Sequence, residues 1–186
     1  QWVGDALAEA ARRGVVGLVD FDFDDYQDKW QRRRPPGSNY LVEIEAAVYP
    51  DVLPRAIERG HRTGAVLAPG VTMGPVKAIT DGSLNTRTAR CVDHYLGVED
   101  SERGQMNYTE QELRQLLSDA KTHGFVPALH AIGDEAVHAV LDLFEQSGMS
   151  GRMEHVQLVS RSDLPRFREL GVVASVQPQH AVDDRD

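Results

Sequence analysis

The sequence has 186 residues, of which 41% are hydrophobic and 26% charged, as is usual for globular proteins. Its 20 basic and 29 acidic side chains give a formal net charge of −9, which argues against nucleic acid and anionic lipid surfaces as partners. The single cysteine, Cys91, excludes an internal disulfide framework and a multi-cysteine zinc site. A lone cysteine and the lack of any apolar run near the ~20 residues of a membrane span predict a cytoplasmic protein.

In the first half of the chain, helical periodicity, a glycine and a short apolar strand follow one another. The pattern predicts helices over residues 6–13 and 52–59, and strands over 15–20, 40–48 and 75–80. The intervening segment 21–39 is predicted to be a long connection, and its basic run at 32–34 a solvated loop beside two prolines.

The second half repeats the pattern with clearer boundaries. Thr109 and Glu112 have capping-box spacing, which predicts a helix start that Gly124 ends before a strand at 125–131. Asp134 is predicted to cap the next helix, followed by a strand at 153–159. Ser160 or Ser162 is predicted to open a further helix before a strand at 172–176.

About six strands alternating with helices are typical of a parallel sheet with crossover helices. Two architectures fit this alternation, a (β/α)₈ barrel and an open doubly wound sheet. The dinucleotide-binding form of the open sheet requires a Gly-x-Gly-x-x-Gly turn after a strand, and the sequence has none, so we favour a barrel in one domain over residues 1–186. The connections 21–39 and 83–108 both follow strands, on the side where barrel enzymes bind substrate.

Polar residues stand at or just beyond the carboxyl end of each predicted strand. They are Asp20, Glu45, Lys77, Asp81, His130, Glu154, His155, Gln177 and His180. Because the carboxyl ends of parallel strands lie at one edge of a sheet, these side chains are expected to converge there.

His130 and His155 are the candidate metal ligands of this set. If their strand faces point the same way on neighbouring strands, the two imidazoles would bind one divalent ion such as Zn²⁺, although hydrogen-bonded structural histidines explain the pattern as well. Lys77, inside an apolar strand, either snorkels, pairs with a carboxylate such as Asp81, or serves chemistry. Cys91 has no activating base nearby in sequence and is predicted to be buried or incidental.

Three motifs together resemble the amidohydrolase superfamily, specifically amidohydrolase family 3 of metal-dependent hydrolases of the YtcJ type. They are VKAITDGSLNTRTA at 76–89, ALHAIGDEAV at 128–137 and RMEHVQLVSRSDLPRFRELGVVASVQPQH at 152–180, with weaker agreement in GVVGLVDF at 14–21. The resemblance covers essentially the whole chain. It implies a (β/α)₈ barrel that hydrolyses amide-type, non-peptide carbon–nitrogen bonds.

The resemblance also implies a role for each candidate metal ligand. Lys77 would be carboxylated to a carbamate that bridges two metals, and His130 and His155 would bind the second metal. One or two divalent ions, expected to be zinc, would activate a hydroxide that attacks the substrate carbonyl.

The substrate would be bound by three further residues. The resemblance places His180 facing a small amide-type substrate, and Asp81 and Arg87 in the loop that shapes the pocket.

The sequence also departs from the family pattern. It has no His-x-His motif, which the family carries on its first strand, and no counterpart of the strand-eight Asp that acts as general base. We therefore expect an inactive fragment covering roughly strands two to seven, without the first and last strands, the β-sandwich or a catalytic base. The alternative is a non-catalytic, barrel-derived module that binds a ligand or partner. In either case self-association through open barrel edges is expected.

Overall fold

A computed structural model describes residues 2–23, 26–33, 41–97 and 103–184. Its helices are α1 (Trp2–Arg12), α2 (Tyr26–Arg33), α3 (Leu53–Glu58), α4 (Glu110–His123), α5 (Asp134–Ser147), α6 (Leu164–Leu170) and α7 (His180–Asp183). Its strands are β1 (Gly17–Asp20), β2 (Glu43–Val48), β3 (Val66–Ala68), β4 (Val71–Ile79), β5 (Pro127–Ala131), β6 (Arg152–His155) and β7 (Val173–Ser175). Within these ranges, no helix combines the length and apolar character needed to cross a membrane.

The chain divides into two compact units. The first comprises Gln1–Lys77 and His123–Phe125, and the second Ala78–Thr122 and Val126–Asp186. The single domain expected from the sequence stays a prediction.

In the first unit, three strands run parallel in the order β1-β2-β4, and β3 pairs with β4 in the antiparallel sense. Strand β2 shows why the sequence folds this way, because its side chains alternate between the two faces. Ile44 and Ala46 are buried, whereas Glu43 and Glu45 are exposed.

In the second unit, the carboxyl end of β4 is followed in the sheet by β5, β6 and β7, with β5, β6 and β7 parallel to one another. Helices α4 and α5 each bury a stripe at helical spacing. The buried residues are Leu113, Leu116, Leu117 and Ala120 on α4, and Ala136, Val137, Val140, Leu141, Leu143 and Phe144 on α5. The predicted capping box is confirmed, since the Thr109 amide donates to Glu112 Oε2 at 2.7 Å and the Glu112 amide to Thr109 Oγ1 at 3.3 Å.

Two predictions about the first half are wrong. Strand β3 was not predicted, because three residues give too short a pattern to detect. The segment 21–39 is not only a connection, since it contains α2. Lys29 and Trp30 are buried and anchor this helix, and Arg32 and Arg33 form its exposed last turn where a loop was expected. Arg34 and Tyr40 lie outside the described residues.

Two boundaries in the second half also differ from the predictions. Asp134 does not cap α5. It is the first helical residue, and Gly133 occupies the N-cap position. The Asp134 carboxylate instead accepts the amide of Val92 at 2.8 Å, which ties the preceding loop to the helix. Strand β6 ends at His155, four residues before the predicted end, because the backbone of His155 and Val156 turns into the left-handed region.

Candidate functional site

The site is built on the adjacent parallel strands β5 and β6. His130 is the fourth residue of β5 and lies opposite Glu154 in the register, whereas His155 lies opposite Ala131. Since registered partners of parallel strands share a face, regular alternation would put the two histidines on opposite faces of the sheet.

The backbone at the end of β6 overrides that alternation. His155 has φ +77° and Val156 has φ +47°, values that a β-branched residue such as valine adopts only under strain. The imidazole rings of His130 and His155 lie 4.6 Å apart between centroids, in a T-shaped arrangement. The sequence argument expected the pair to meet through strand alternation, but the left-handed turn brings the rings together.

Each of the two rings has one nitrogen beside an oxygen acceptor. His130 Nε2 lies 2.9 Å from the carbonyl oxygen of Gly82 and 3.4 Å from Asp81 Oδ1. His155 Nδ1 lies 2.6 Å from Gln177 Oε1. An oxygen that only accepts fixes the ring proton on the nitrogen that faces it, so in the neutral rings the lone pair is on Nδ1 of His130 and on Nε2 of His155.

A third imidazole, that of His180, lies beside this pair, so that His130, His155 and His180 form a row of imidazoles. The ring of His180, in α7, lies 6.0 Å from that of His155. Its Nδ1 is 3.0 Å from Asp184 Oδ2, an atom that also accepts a hydrogen bond from Gln157 Nε2 at 2.6 Å. The predicted substrate residue His180 is therefore beside the histidine pair and is oriented by a carboxylate.

Asp81 is completely buried and organises the loop that follows β4. Its Oδ1 accepts the amide of Ile132 at 3.0 Å, and its Oδ2 accepts the amides of Gly133 and Arg90 at 2.9 Å each. These bonds join the loop to the turn between β5 and α5. The carboxylate predicted to meet substrate is thus engaged by backbone, and its substrate contact stays a prediction.

Arg87 is exposed at the tip of the same loop and has a left-handed backbone, with φ +58°. Its amide donates to the carbonyl of Leu84 at 2.9 Å, which closes a tight turn. Its predicted role in substrate binding stays a prediction.

Cys91, in the same loop, is buried, as predicted. Burial raises the pKa of its thiol, although a hydrogen bond with Tyr95 partly offsets that effect. A neutral thiol is a weak nucleophile, so the residue acts in packing.

The first unit contains the predicted ligand Lys77. It lies on β4, its side chain is 4% exposed, and its Nζ is 5.2 Å from the centroid of the Phe21 ring. The role of Lys77 as a metal ligand stays a prediction.

Two other residues singled out at strand ends, Asp20 and Glu45, also belong to the first unit. Asp20 Oδ2 accepts a hydrogen bond from Trp30 Nε1 at 2.8 Å and lies 3.8 Å from the ammonium of the buried Lys29. The same ammonium bonds to Asp22 and lowers the pKa of that carboxyl. The partners of Asp20 are thus structural, namely Trp30 and Lys29. Glu45 is exposed.

The donor chemistry of His130 and His155 suits a divalent ion. Two neutral imidazoles, each with its proton assigned to one nitrogen, are ligands that Zn²⁺ and related ions prefer. Across residues 2–23, 26–33, 41–97 and 103–184, however, no three His, Cys, Asp or Glu side chains are grouped to hold a metal. The role of the pair as metal ligands stays a prediction.

Two groups in this row were not assigned a role from sequence. Gln177 stood among the strand-end residues, but nothing in its pattern showed that its amide meets His155. The contact between Asp184 and His180 could have been inferred from the sequence. The two residues are four apart, and residues with that spacing are neighbours on a helix.

The fold and the site together define an α/β protein with a row of imidazoles at the carboxyl ends of parallel strands. Comparison with known proteins identifies the family. The model of the amidohydrolase family, Amidohydro_3, matches residues 1–186. The chain therefore belongs to the amidohydrolase family, as its motifs predicted.

Three relatives show the extent of the similarity. The chain is 32% identical over 139 residues to the protein LONG AFTER FAR-RED 3 of Arabidopsis thaliana, covering 71% of this chain and 24% of the relative. It is 26% identical over 196 aligned residues to the putative amidohydrolase YtcJ of Bacillus subtilis (strain 168), covering 98% and 36%. The chain thus spans about a quarter to a third of the length of these curated relatives.

The third relative is a solved structure, an uncharacterized metal-dependent hydrolase of Pyrococcus horikoshii OT3. It matches with a TM-score of 0.84 and 31% identity, over 96% of this chain and 36% of that one. The match confirms the predicted partial (β/α)₈ barrel of the amidohydrolase fold.

Proposed function

We propose that this chain is part of a metal-dependent hydrolase that cleaves amide-type, non-peptide carbon–nitrogen bonds in a small-molecule substrate. The observation that carries the proposal is the 4.6 Å approach of the His130 and His155 rings at adjacent strand ends, with one nitrogen of each ring committed to an oxygen acceptor. Membership of the amidohydrolase family and the likeness to a metal-dependent hydrolase support the same reaction class.

In this proposal, His130 and His155 bind the metal through their ring nitrogens. Lys77 contributes a further ligand after carboxylation of its amine, which is supported by its burial on β4. A bound divalent ion, which we propose to be Zn²⁺, lowers the pKa of water and polarises the substrate carbonyl.

The substrate is bound by His180, Asp81 and Arg87. His180 is held by Asp184 at Nδ1, so its neutral ring presents Nε2 as an acceptor to a substrate N–H group. Asp81 contributes by fixing the loop that carries Arg87, since its carboxylate binds the amides of three residues.

These 186 residues contain no His-x-His motif, and we propose that they have no hydrolase activity by themselves. The proposal further includes a cytoplasmic location, no nucleic-acid or membrane partner, and self-association through strand edges, in keeping with the net charge of −9 and the lone cysteine. The alternative of a non-catalytic binding module stays a prediction without an observation that favours it.

The proposal is tested by equilibrium dialysis of the chain against Zn²⁺, with bound metal measured by mass spectrometry. We expect weak, saturable binding that His130→Asn and His155→Asn each reduce at least tenfold, because each removes one nitrogen ligand. His94→Asn is the matched control, since His94 is exposed on the loop in the same unit. Equal binding by all four proteins would contradict the assignment of the pair.

The absence of activity is tested separately with a panel of N-acyl and N-substituted amides. We expect no zinc-dependent hydrolysis above the rate with the His130→Asn variant. One zinc ion retained through extensive dialysis, together with turnover of any of these amides, would show that the 186 residues already form a complete site.

A further inference from the structure

Gln177 lies just beyond β7, and both ends of its side-chain amide have partners. Its Nε2 donates to the carbonyl oxygen of Ser175 at 3.3 Å, and its Oε1 lies 2.6 Å from Nδ1 of His155. A carbonyl oxygen can only accept a hydrogen bond, so Ser175 fixes which end of the amide is NH₂. The amide oxygen is therefore the end that faces the imidazole.

The orientation of the Gln177 amide determines which ring nitrogen of His155 carries a proton. The amide oxygen cannot donate, so Nδ1 of His155 must carry a proton and donate it to Gln177. The neighbouring ring has the opposite arrangement, because the carbonyl of Gly82 holds the proton of His130 on Nε2. The two imidazoles, 4.6 Å apart, are thus held in opposite tautomers by two different acceptors.

We propose that Gln177 is a positioning residue that fixes the tautomer and ring orientation of His155. The left-handed backbone at His155 makes such support necessary, since regular strand alternation does not direct this side chain toward His130. Gln177 itself is exposed, so it adds little to the packing of the fold.

The consequence for metal binding rests on the function proposed above. If His155 binds a divalent ion through Nε2, its partner at Nδ1 raises the affinity of the site. Loss of such a partner lowers metal affinity by about 10- to 100-fold in metal sites generally. The tautomer assignment does not depend on metal and can be measured without it.

The experiment compares Gln177→Met, which keeps the side-chain length without an oxygen, with Gln177→Glu, which keeps an acceptor. Gln179→Met is the matched control, because Gln179 lies two residues away and bonds to Asp183 at 2.9 Å. Ring ¹⁵N chemical shifts are recorded by NMR on the metal-free, ¹⁵N-histidine-labelled chain at about pH 8, where ordinary histidines are neutral. Circular dichroism confirms that each variant is folded.

We expect protonated Nδ1 at His155 in the wild type, in Gln177→Glu and in Gln179→Met, and a shift toward protonated Nε2 in Gln177→Met. A wild-type His155 already protonated at Nε2, or a Gln177→Met spectrum identical to the wild type, would overturn the proposal.

Zinc dialysis of the same variants separates the two proposals. A 10- to 100-fold weaker affinity in Gln177→Met, restored in Gln177→Glu, supports both. If the tautomer changes as expected while Gln177→Met and His155→Asn bind zinc as tightly as the wild type, the positioning role stands and the proposed metal site is wrong.

Discussion

At the scale of single residues, the site depends on acceptors that fix polar side chains, more than on the ionisable residues that the sequence displays. His130 and His155 are easily found as strand-end histidines, but a backbone carbonyl and an amide side chain decide which ring nitrogen carries the proton. Asp81 is a similar case. Its carboxylate has no exposed surface and binds three backbone amides, so its main physical effect is to hold a loop.

Replacement of Asp81 by asparagine tests this organising role. The new NH₂ group would face at least one backbone N–H, and two donors cannot share a hydrogen bond. We expect the free energy of unfolding to fall by about 1–3 kcal/mol, measured by urea denaturation. Asp93→Asn, at an exposed position of the same loop, is the control and should change stability by less than about 0.5 kcal/mol. Equal stability of the two variants would show that the hydrogen bonds which Asp81 accepts from backbone amides do not contribute to stability.

At the scale of elements, the loop after β4 and the start of α5 are packed backbone to backbone. The carbonyl of Arg90 accepts the amide of Ala136 at 3.2 Å, in the first turn of α5. A Cβ atom placed on Gly133 would lie 1.9 Å from that same carbonyl oxygen. Only glycine allows this approach, so the contact with Arg90 requires Gly133.

Gly133→Ala should therefore disturb the packing of this loop. We expect a loss of about 1–3 kcal/mol in the free energy of unfolding, because backbone rather than a flexible side chain must move. Gly4→Ala is the matched control, since nothing lies within 4 Å of a Cβ at Gly4, in helix α1. There the substitution should be neutral or stabilise by up to about 1 kcal/mol. The prediction fails if both variants unfold at the urea concentration of the wild type.

The contact between α5 and α6 is centred on the buried carboxylate of Asp163. Burial by itself would raise the pKa of Asp163, but hydrogen bonds from Ser160, His138 and Arg166 outweigh burial and lower it. Arg166 also bonds to Asp142 at 2.6 Å, on α5. The ionised form of Asp163 is thus stabilised by folding.

This shift predicts how stability depends on pH. Because the pKa of Asp163 is lower in the folded state, its contribution is complete above the unfolded value of about 3.9 and is lost as the pH falls through the folded value. We expect Asp163→Asn to reduce the unfolding free energy at pH 7 and to match the wild type more closely below pH ~3. Asp93→Asn, at an exposed position of the loop after β4, should give a curve parallel to that of the wild type. A constant difference between Asp163→Asn and wild type from pH 7 to pH 2 would contradict the lowered pKa.

At the scale of the whole molecule, much of the fold could be predicted from sequence because its signals are local. The capping box at Thr109 and Glu112 and the glycines that end helices specify boundaries within a few residues of the chain. Alternating apolar runs specify the strands, and the order of helices and strands then favours parallel pairing. Strand β3 and the exact end of β6 could not be predicted, because a strand of three residues and a strained backbone leave no periodic pattern.

The sequence could predict which histidines belong to the site, but not how they are arranged. Their strand-end positions identify His130, His155 and His180, but the sequence cannot show that His155 is turned by a left-handed backbone toward its neighbour. Nor can it show that Gln177 and Asp184 hold two of the rings, because these contacts depend on packing between β6, β7 and α7.

The central claim is that His130 and His155 act together on one divalent ion. The most direct measurement is a zinc titration of the ¹⁵N-histidine-labelled chain followed by NMR of the ring nitrogens. We predict that the signals of His130 and His155 change together at the same zinc concentration, that those of His94 and His123 do not change, and that His130→Asn weakens the response of His155. Responses of His130 and His155 at different zinc concentrations, or a response of His155 unaffected by His130→Asn, would contradict the account.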